Sequence, residues 1–556
     1  MVTQIKKLLQ TEIQGLHQAA YVLGIFSVMS QVFALLRDRM LAGTFGAGIE
    51  LDMYYSAFRL PDMLFVILVT ITSISVLIPY IIEKQDNPEE LHRYLNSIFT
   101  FVSGIAILLF VGTWFVAPYF LNLIVPEIYA NNQDTLLAMT RILLLQPLFL
   151  AFSGFFGSFT QAKKRFIIYA TSPILYNVGI ILGVVFLYPV FGLIGLIYGV
   201  VLGSILHVGI LMPVVFTDYI PKFSRIYFKE IKHLVLHSMP RTFSMLSVQI
   251  QLIFMTFFAG ILAAGSISIF NLSYNLQSVP MAIIGVSYSV AAFPTLTALF
   301  QKQKMQEFYE LLSRAMRHVV FWSLPVVACF IVLRAQIVRV ILGSGNFEWN
   351  ETILVAAALA IFTLSLVAQS LSQVLIRSFY AMGKTKYPFI CSITSVFVTL
   401  SLFMILLIPN LLASDAVLYL KTILKVDIVQ SSLILILPIG FTVGQWVQCI
   451  LLLLGIGGLP TIFSKEFRVS AFQSLMAAGI IALCSYVTLD FMSGVVDIRT
   501  FFGIASQGFV AGTVGLLAGG AFLILVGNNE LKTVLHTSLQ RIRRQPTIPP
   551  EVQEEL

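Results

Sequence analysis

The sequence predicts an all-α polytopic membrane protein of about fourteen transmembrane helices, built as two parallel six-helix repeats with two extra C-terminal helices. Three observations predict it. The 556 residues are 58% hydrophobic with a mean hydropathy of +0.91, well above the composition of soluble domains. Apolar runs of about 20 residues, the length that crosses a hydrocarbon core about 30 Å thick, recur along the chain. A motif near Ser158 returns near Ser378.

The start, "MVTQIKKLLQTEIQGLHQAA", is too polar for a cleavable signal and reads as a cytoplasmic amphipathic lead-in over 1–19. Apolar runs bounded by charge, Gly or Pro then place spans 1 to 6 near 20–41, 53–82, 95–121, 135–161, 166–188 and 192–216. Spans 7 to 12 fall near 232–262, 266–300, 314–342, 352–381, 387–410 and 430–456, and spans 13 and 14 near 469–491 and 501–526. The domain reading follows: a first lobe over 20–217, a second over 218–456, the extra pair within 457–527 and a cytoplasmic tail over 528–556.

Orientation comes from the basic residues. Connections after even-numbered spans carry Lys84 and Arg93, Lys163 to Arg165, Lys222, Arg225 and Lys229, Lys302 and Lys304, Lys384 and Lys386, and Lys465 and Arg468. Those after spans 3, 5, 7 and 9 carry no Lys or Arg, whereas Lys421, Lys425 and Arg499 run against the pattern. The positive-inside rule puts the even connections and both termini in the cytoplasm. The net charge of +8 thus reports topology, and nucleic acid is not an expected partner.

"SFTQAKKRF" at Ser158 after span 4 and "SFYAMGKTKYP" at Ser378 after span 10 are 220 residues apart, and "SVLIPYI" at Ser75 has a weaker echo in "SVAAFPTL" at Ser289. Six spans per repeat is an even number, so both halves enter the membrane in the same sense. Two such bundles can enclose a central cavity, the usual place for a transporter's substrate; the plain alternative is a bundle with no cavity.

Charge is concentrated in "LRDRMLAGTFGAGIELDMYYSAFRLPD", Leu36 to Asp62. Helical spacing puts Gln31 and Asp38 on one face of span 1. Two readings of Arg37 and Arg39 stay open. In one they snorkel to the headgroups with Asp38 as counter-ion; in the other Arg37 stands on a cavity wall, held by Asp38 or Asp52, and meets a phosphate with its fork of donors. Gly43, Gly46 and Gly48 permit a tight turn into span 2. Pro61 and Pro79 in span 2, and Pro280 and Pro294 in span 8, favour bends that serve either as hinges or as static kinks.

Catalysis finds no support. No nucleophile, base or metal-ligand spacing emerges, no phosphate-cradling Gly-rich loop appears, and the chain is not expected to be an enzyme or to carry a cofactor or metal. His207 and His237 read as packed or interfacial. Cys329, Cys391, Cys449 and Cys484 lie singly in apolar stretches and read as packing residues. Spans 4 to 12 hold essentially no mid-membrane carboxylate, which argues against proton-coupled drug export.

Together, "LLRDRMLAGTFGAGIELDMYYSAFRLPDML", "ILGSGNFEWNET" and "SFYAMGKTKYP" resemble the MurJ (MviN) family of lipid II flippases in the MOP transporter superfamily. The resemblance covers most of the chain. It implies alternating access between two six-helix lobes in a bacterial cytoplasmic membrane, a cationic cavity for a pyrophosphate-sugar headgroup, and a groove at spans 13 and 14 for the polyprenyl tail. Implied partners are that polyprenyl-linked lipid, membrane lipids and cell-wall synthesis proteins. Residue by residue, Arg37 and Asp38 match the family's Arg-Asp pair, Asp52 its Asp opening span 2, and Arg59 its basic residue before Leu-Pro. Departures are expected to matter: Gln31, Phe65 or Val66, and Asn275 stand where typical members have arginines, and Arg141 and Arg241 are candidate replacements. Span 7 has no acidic residue matching the sodium-coordinating Asp of some members, so membrane potential is a candidate driver. Two alternatives remain, export of another lipid-linked oligosaccharide and a non-transporting scaffold that kept the fold.

Overall fold

The computed structural model describes residues 16–71, 87–406, 432–497 and 500–534, with single positions at 77, 81, 422 and 426. The described residues form helices and turns, with no strand among them. Pro79 lies outside them.

Each predicted span position carries helix. Among the described residues ten stretches are long and apolar enough to cross a membrane, and the bent pair Trp349–Thr363 and Leu366–Ala381, counted as one span, would be an eleventh. The helices at spans 1, 2 and 7 are not among them: Leu16–Phe45, the pair Ile49–Ala57 and Arg59–Ile71, and Phe228–Gly260. Span 2 breaks at Phe58 because Pro61 has no N–H for the Ala57 carbonyl and its ring crowds that carbonyl; the ladder resumes with Asp62 N–H on the Phe58 carbonyl at 2.8 Å. Span 8 runs from Ser266–Met281 through a π turn, Ala282–Val286, into Ser287–Gln301. The π turn follows Pro280 directly, as the backbone bonds re-register after the missing donor.

By contact the chain divides into two compact units. The first comprises Met1–Ser273, Ile341–Val355 and Ser392–Gly440; the second comprises Tyr274–Val340, Ala356–Cys391 and Phe441–Leu556.

In the first unit a core of Tyr94, Leu95, Ile98, Phe155, Phe156, Phe159 and Leu211 joins spans 3, 4 and 6. Spans 5 and 6 meet backbone to backbone: a Cβ on Gly179 would strike Gly203, and one on Gly183 would strike the Cα of Gly199 at 2.6 Å. These glycines form two reciprocal Gly-xxx-Gly patterns, the packing solution of a solvent with no hydrophobic drive between helices. In the second unit, Phe308, Leu312, Met316 and Val319 of span 9 centre the core. Spans 13 and 14 close through Gly515 and Gly519 against Ala477, Ile481 and Ser485.

The repeated motif is also a repeated piece of structure. Ser158 donates to the Gly154 carbonyl and Ser378 to the Val374 carbonyl, both at 2.9 Å. Span 4 then ends with Arg165 N–H on the Thr160 carbonyl at 3.1 Å, and span 10 with Lys384 N–H on the Phe379 carbonyl at 2.9 Å. Between them, Lys164 and Gly383 take φ of +57° and +71°, the left-handed residue of a Schellman cap.

Candidate functional site

Span 1 presents Ser30, Gln31, Ala34 and Arg37, spaced along one helical face, to a cavity of about 540 Å³ inside the first unit. Asp62 and Phe65 of span 2, Gln146 and Ser153 of span 4, Tyr169, Tyr176 and Asn177 of span 5, and His207 of span 6 complete most of its wall. The cavity is polar on several sides. Gln146 Nε2 donates to the Tyr176 hydroxyl at 3.0 Å, and the His207 ring nitrogen Nδ1 lies 2.5 Å from the Ser153 hydroxyl. His207, expected to be packed or interfacial, thus faces the cavity.

Arg37 stands on this wall. Its Nε and Nη2 donate to Asp38 Oδ1 at 2.9 and 2.8 Å, and its Nη1 donates to Asn177 Oδ1 at 3.0 Å. Among the described residues no acceptor meets the second hydrogens of Nη1 and Nη2. Asp38 is buried, while the Arg37 side chain keeps 20% of its surface.

The rest of the charge cluster goes elsewhere. The Asp52 carboxylate accepts from Gly265 N–H at 2.6 Å, from Ser268 N–H at 2.7 Å and from the Ser268 hydroxyl at 2.6 Å, so it caps the start of span 8 where the helix dipole favours an anion. Gly265 has φ +86°, and a Cβ there would run into the Ala47 carbonyl. Arg59 donates from Nε to Thr256 Oγ1 and from Nη2 to Asn271 Oδ1, both at 2.6 Å, tying span 2 to spans 7 and 8. Both side chains are buried.

The neighbouring turn uses the second resembling motif, "ILGSGNFEWNET". Asn346 N–H meets the Gly43 carbonyl at 2.8 Å, Asn346 Nδ2 meets the Thr44 carbonyl at 2.7 Å, and Glu351 Oε1 accepts from Ala47 N–H at 2.6 Å. Arg39 Nη1 reaches the Ile341 carbonyl at 3.3 Å.

The structure therefore brings Gln31 and Arg37 to the cavity with Asp38 behind them, and sets Asp52 and Arg59 in a separate buried network. Pro61 is buried at the span 2 break; Asn275 and Pro280 belong to the second unit. Arg141 lies over the Trp114 ring at 4.8 Å, on a face where Val111, Phe115 and Trp114 are exposed, and does not line the cavity. The side chains of Arg241 and His237 lie outside the described residues. Sequence reasoning passed over Asp62, whose signal was a carboxylate directly after Leu60 and Pro61 and before an apolar run, and it passed over Gln146, Tyr176 and Asn177, whose signal was polarity within apolar spans.

The family model described as lipid II flippase MurJ matches residues 41–415, about two thirds of the chain. A probable lipid II flippase MurJ of Buchnera aphidicola subsp. Schizaphis graminum is 27% identical over 388 residues, covering 68% of this chain and 75% of the relative. One of Thermotoga maritima is 28% identical over 401 residues, covering 70% and 78%. Among solved structures, lipid II flippase MurJ in an inward closed conformation aligns with a TM-score of 0.71 at 20% identity, covering 91% of this chain and 99% of that one. An inward-facing multidrug resistance MATE transporter of the MOP superfamily aligns at 0.60 and 14% identity, covering 81% and 94%.

Proposed function

The chain belongs to the lipid II flippase MurJ family, and from that premise we propose that its polar cavity receives the diphosphate end of a polyprenyl-linked peptidoglycan precursor, with Arg37 as the principal contact. The observation that carries this is the Arg37 fork, oriented by Asp38 and Asn177 and still holding free hydrogens at the cavity wall. A diphosphate oxygen accepts charge-assisted bonds from such a fork, and a positioned guanidinium loses little entropy in making them.

Asp52 and Arg59 act as a clasp in this scheme. Their bonds join spans 2, 7 and 8, and alternating access requires them to part and re-form as the lobes over 20–217 and 218–456 move. Pro61 and Pro280 are the proposed hinges, each next to a break or a π turn. Gln31, on the cavity wall, serves as a neutral hydrogen-bonding group toward the headgroup. Spans 13 and 14 carry exposed Leu483, Tyr486, Phe491, Phe502, Phe509 and Leu517, an apolar surface suited to the polyprenyl tail. The protein is a multi-pass membrane protein; residence in the bacterial cytoplasmic membrane with both termini inside, and association with cell-wall synthesis proteins, complete the proposal.

The test is leaflet-resolved accessibility of lipid II in cells depleted of their own flippase and expressing this chain. Wild type restores outer-leaflet lipid II, and Arg37→Ala at equal membrane abundance does not. Failure of a normally inserted wild type in that host overturns the substrate assignment and directs the same assay to other polyprenyl-diphosphate glycans.

A further inference from the structure

We propose that the turn between spans 4 and 5 binds the phosphate of a lipid headgroup, through the guanidinium of Arg165 and the side-chain amide of Gln161. Three buried nitrogens there have no acceptor among the described residues: Nε and Nη1 of Arg165, and Nε2 of Gln161. Buried polar groups are nearly always paired, so a local surplus calls for a partner of the opposite kind. These orphans are all donors and two belong to one guanidinium, so the partner they call for is an anionic oxygen.

The backbone brings these groups together. Lys164 N–H meets the Gln161 carbonyl at 2.9 Å and Arg165 N–H the Thr160 carbonyl at 3.1 Å, so the cap folds Arg165 back onto the last turn of span 4. The Gln161 side chain lies beside the Tyr169 hydroxyl, and Tyr169 follows Arg165 by one helical turn. No side chain caps the start of span 5, Phe166–Leu182, so its first amides add donors at the positive end of the helix dipole. Lys164 is exposed beside the turn, and Lys163 lies over the Phe159 ring at 5.7 Å. Nothing acidic answers this charge: the chain has no Asp or Glu between Asp134 and Asp218, and Arg165 has no ion pair among the described residues.

The matching cap of span 10 is a control within the molecule. Ala381 and Met382 lead into it, Lys384 and Lys386 are exposed, and no buried donor from 379 to 387 lacks a partner among the described residues. The positive-inside rule accounts for exposed lysines at both caps. It does not account for a guanidinium edge buried without an acceptor at one of them. A phosphate diester supplies two oxygens to such an edge, and an arginine fork matches that geometry where a lysine does not. Free phosphate shares the chemistry, but the turn joins the ends of two membrane spans at headgroup depth, which favours a lipid. Arg165 and Gln161 are partly exposed, so a headgroup can reach them.

Radiolabelled short-chain phosphatidylglycerol, titrated against the purified full-length protein in maltoside micelles, tests the site. Wild type binds saturably, with about one tight site per chain. Arg165→Gln weakens that site about tenfold, the loss expected with a bidentate charge-assisted contact. Arg165→Lys, which keeps the charge and loses the fork, weakens it by a smaller factor, and the double variant Lys384→Gln, Lys386→Gln leaves it unchanged. Absence of saturable binding overturns the proposal, as does unchanged binding in a monodisperse Arg165→Gln protein. So does a loss in the lysine double variant as large as that in Arg165→Gln, which would make the attraction one of net charge. Unlabelled competitors separate the sources. Diacylglycerol, which has no phosphate, leaves the label bound, and displacement by it overturns the phosphate assignment. Orthophosphate that competes as well as the lipid keeps the site and assigns it to free phosphate. A polyprenyl diphosphate that competes more tightly than phosphatidylglycerol assigns it to the transported lipid; that arm alone rests on the proposed function, and its failure leaves the phospholipid site standing.

Discussion

Two charge systems grow from one short stretch of sequence, and they differ in what they leave over. In the Asp52–Arg59 network every bond described ends on a protein partner: Asp52 caps Gly265 and Ser268, and Arg59 reaches Thr256 and Asn271. In the Arg37–Asp62 system the partners run out among the described residues: Arg37 lines the cavity with more N–H groups than acceptors, and the Asp62 carboxylate has no hydrogen bond or ion pair there. Inside a membrane a satisfied charge holds helices together, and an unsatisfied one waits for something to arrive.

The sharpest way to break the contrast is Asp52→Ala. It strips three buried donors of their acceptor, and we expect about 3 kcal/mol of lost stability, read as a fall in thermal midpoint and in folded yield. Arg37→Lys should invert the pattern. The charge beside Asp38 survives but the fork does not, so lipid II translocation falls about tenfold while the thermal midpoint moves little. An unchanged transport rate would move Arg37 into the structural class. Phe65→Arg adds a cation to the cavity wall close to Asp62, and about tenfold tighter diphosphate binding is expected from one new charge-assisted contact, measured by titration with a soluble polyprenyl-diphosphate analogue. The smallest effect belongs to Arg141→Gln, which gives up a stack on Trp114 worth about 0.5–1 kcal/mol and leaves transport unchanged.

Much of this was legible before any coordinates. Apolar run length placed helix at each span position, and Pro61 and Pro280 marked a break and a π turn. Ser158 and Ser378 disclosed a repeat whose hydroxyl bonds and caps coincide in the fold. The charge cluster was equally visible as a cluster, but its division was not. Asp52 caps a helix more than two hundred residues further along, and spacing in the chain carries no information about such a partner. Arg37's orientation likewise depends on Asn177 of span 5. Asp62 was hidden differently: it was read as one more charge of the group because nothing local distinguishes a paired carboxylate from an unpaired one. The glycine patterns of spans 5 and 6 were in plain view as Gly-xxx-Gly, yet only the closing of one backbone on the other shows that they face each other.

That seam also has a mechanical meaning. Side chains let packed helices slide, because a rotamer change can absorb a small displacement; between Gly179 and Gly203, and between Gly183 and Gly199, there is nothing to rotate. Spans 5 and 6 are therefore a stiff plate. Tyr176 and Asn177 ride on one half of it and His207 on the other, so these walls of the cavity keep their spacing whatever the transporter does. Any change in the cavity's volume has to come from spans 1, 2, 4 and 7 moving against that plate, and the first three of these hold Arg37, Asp62 and Gln146.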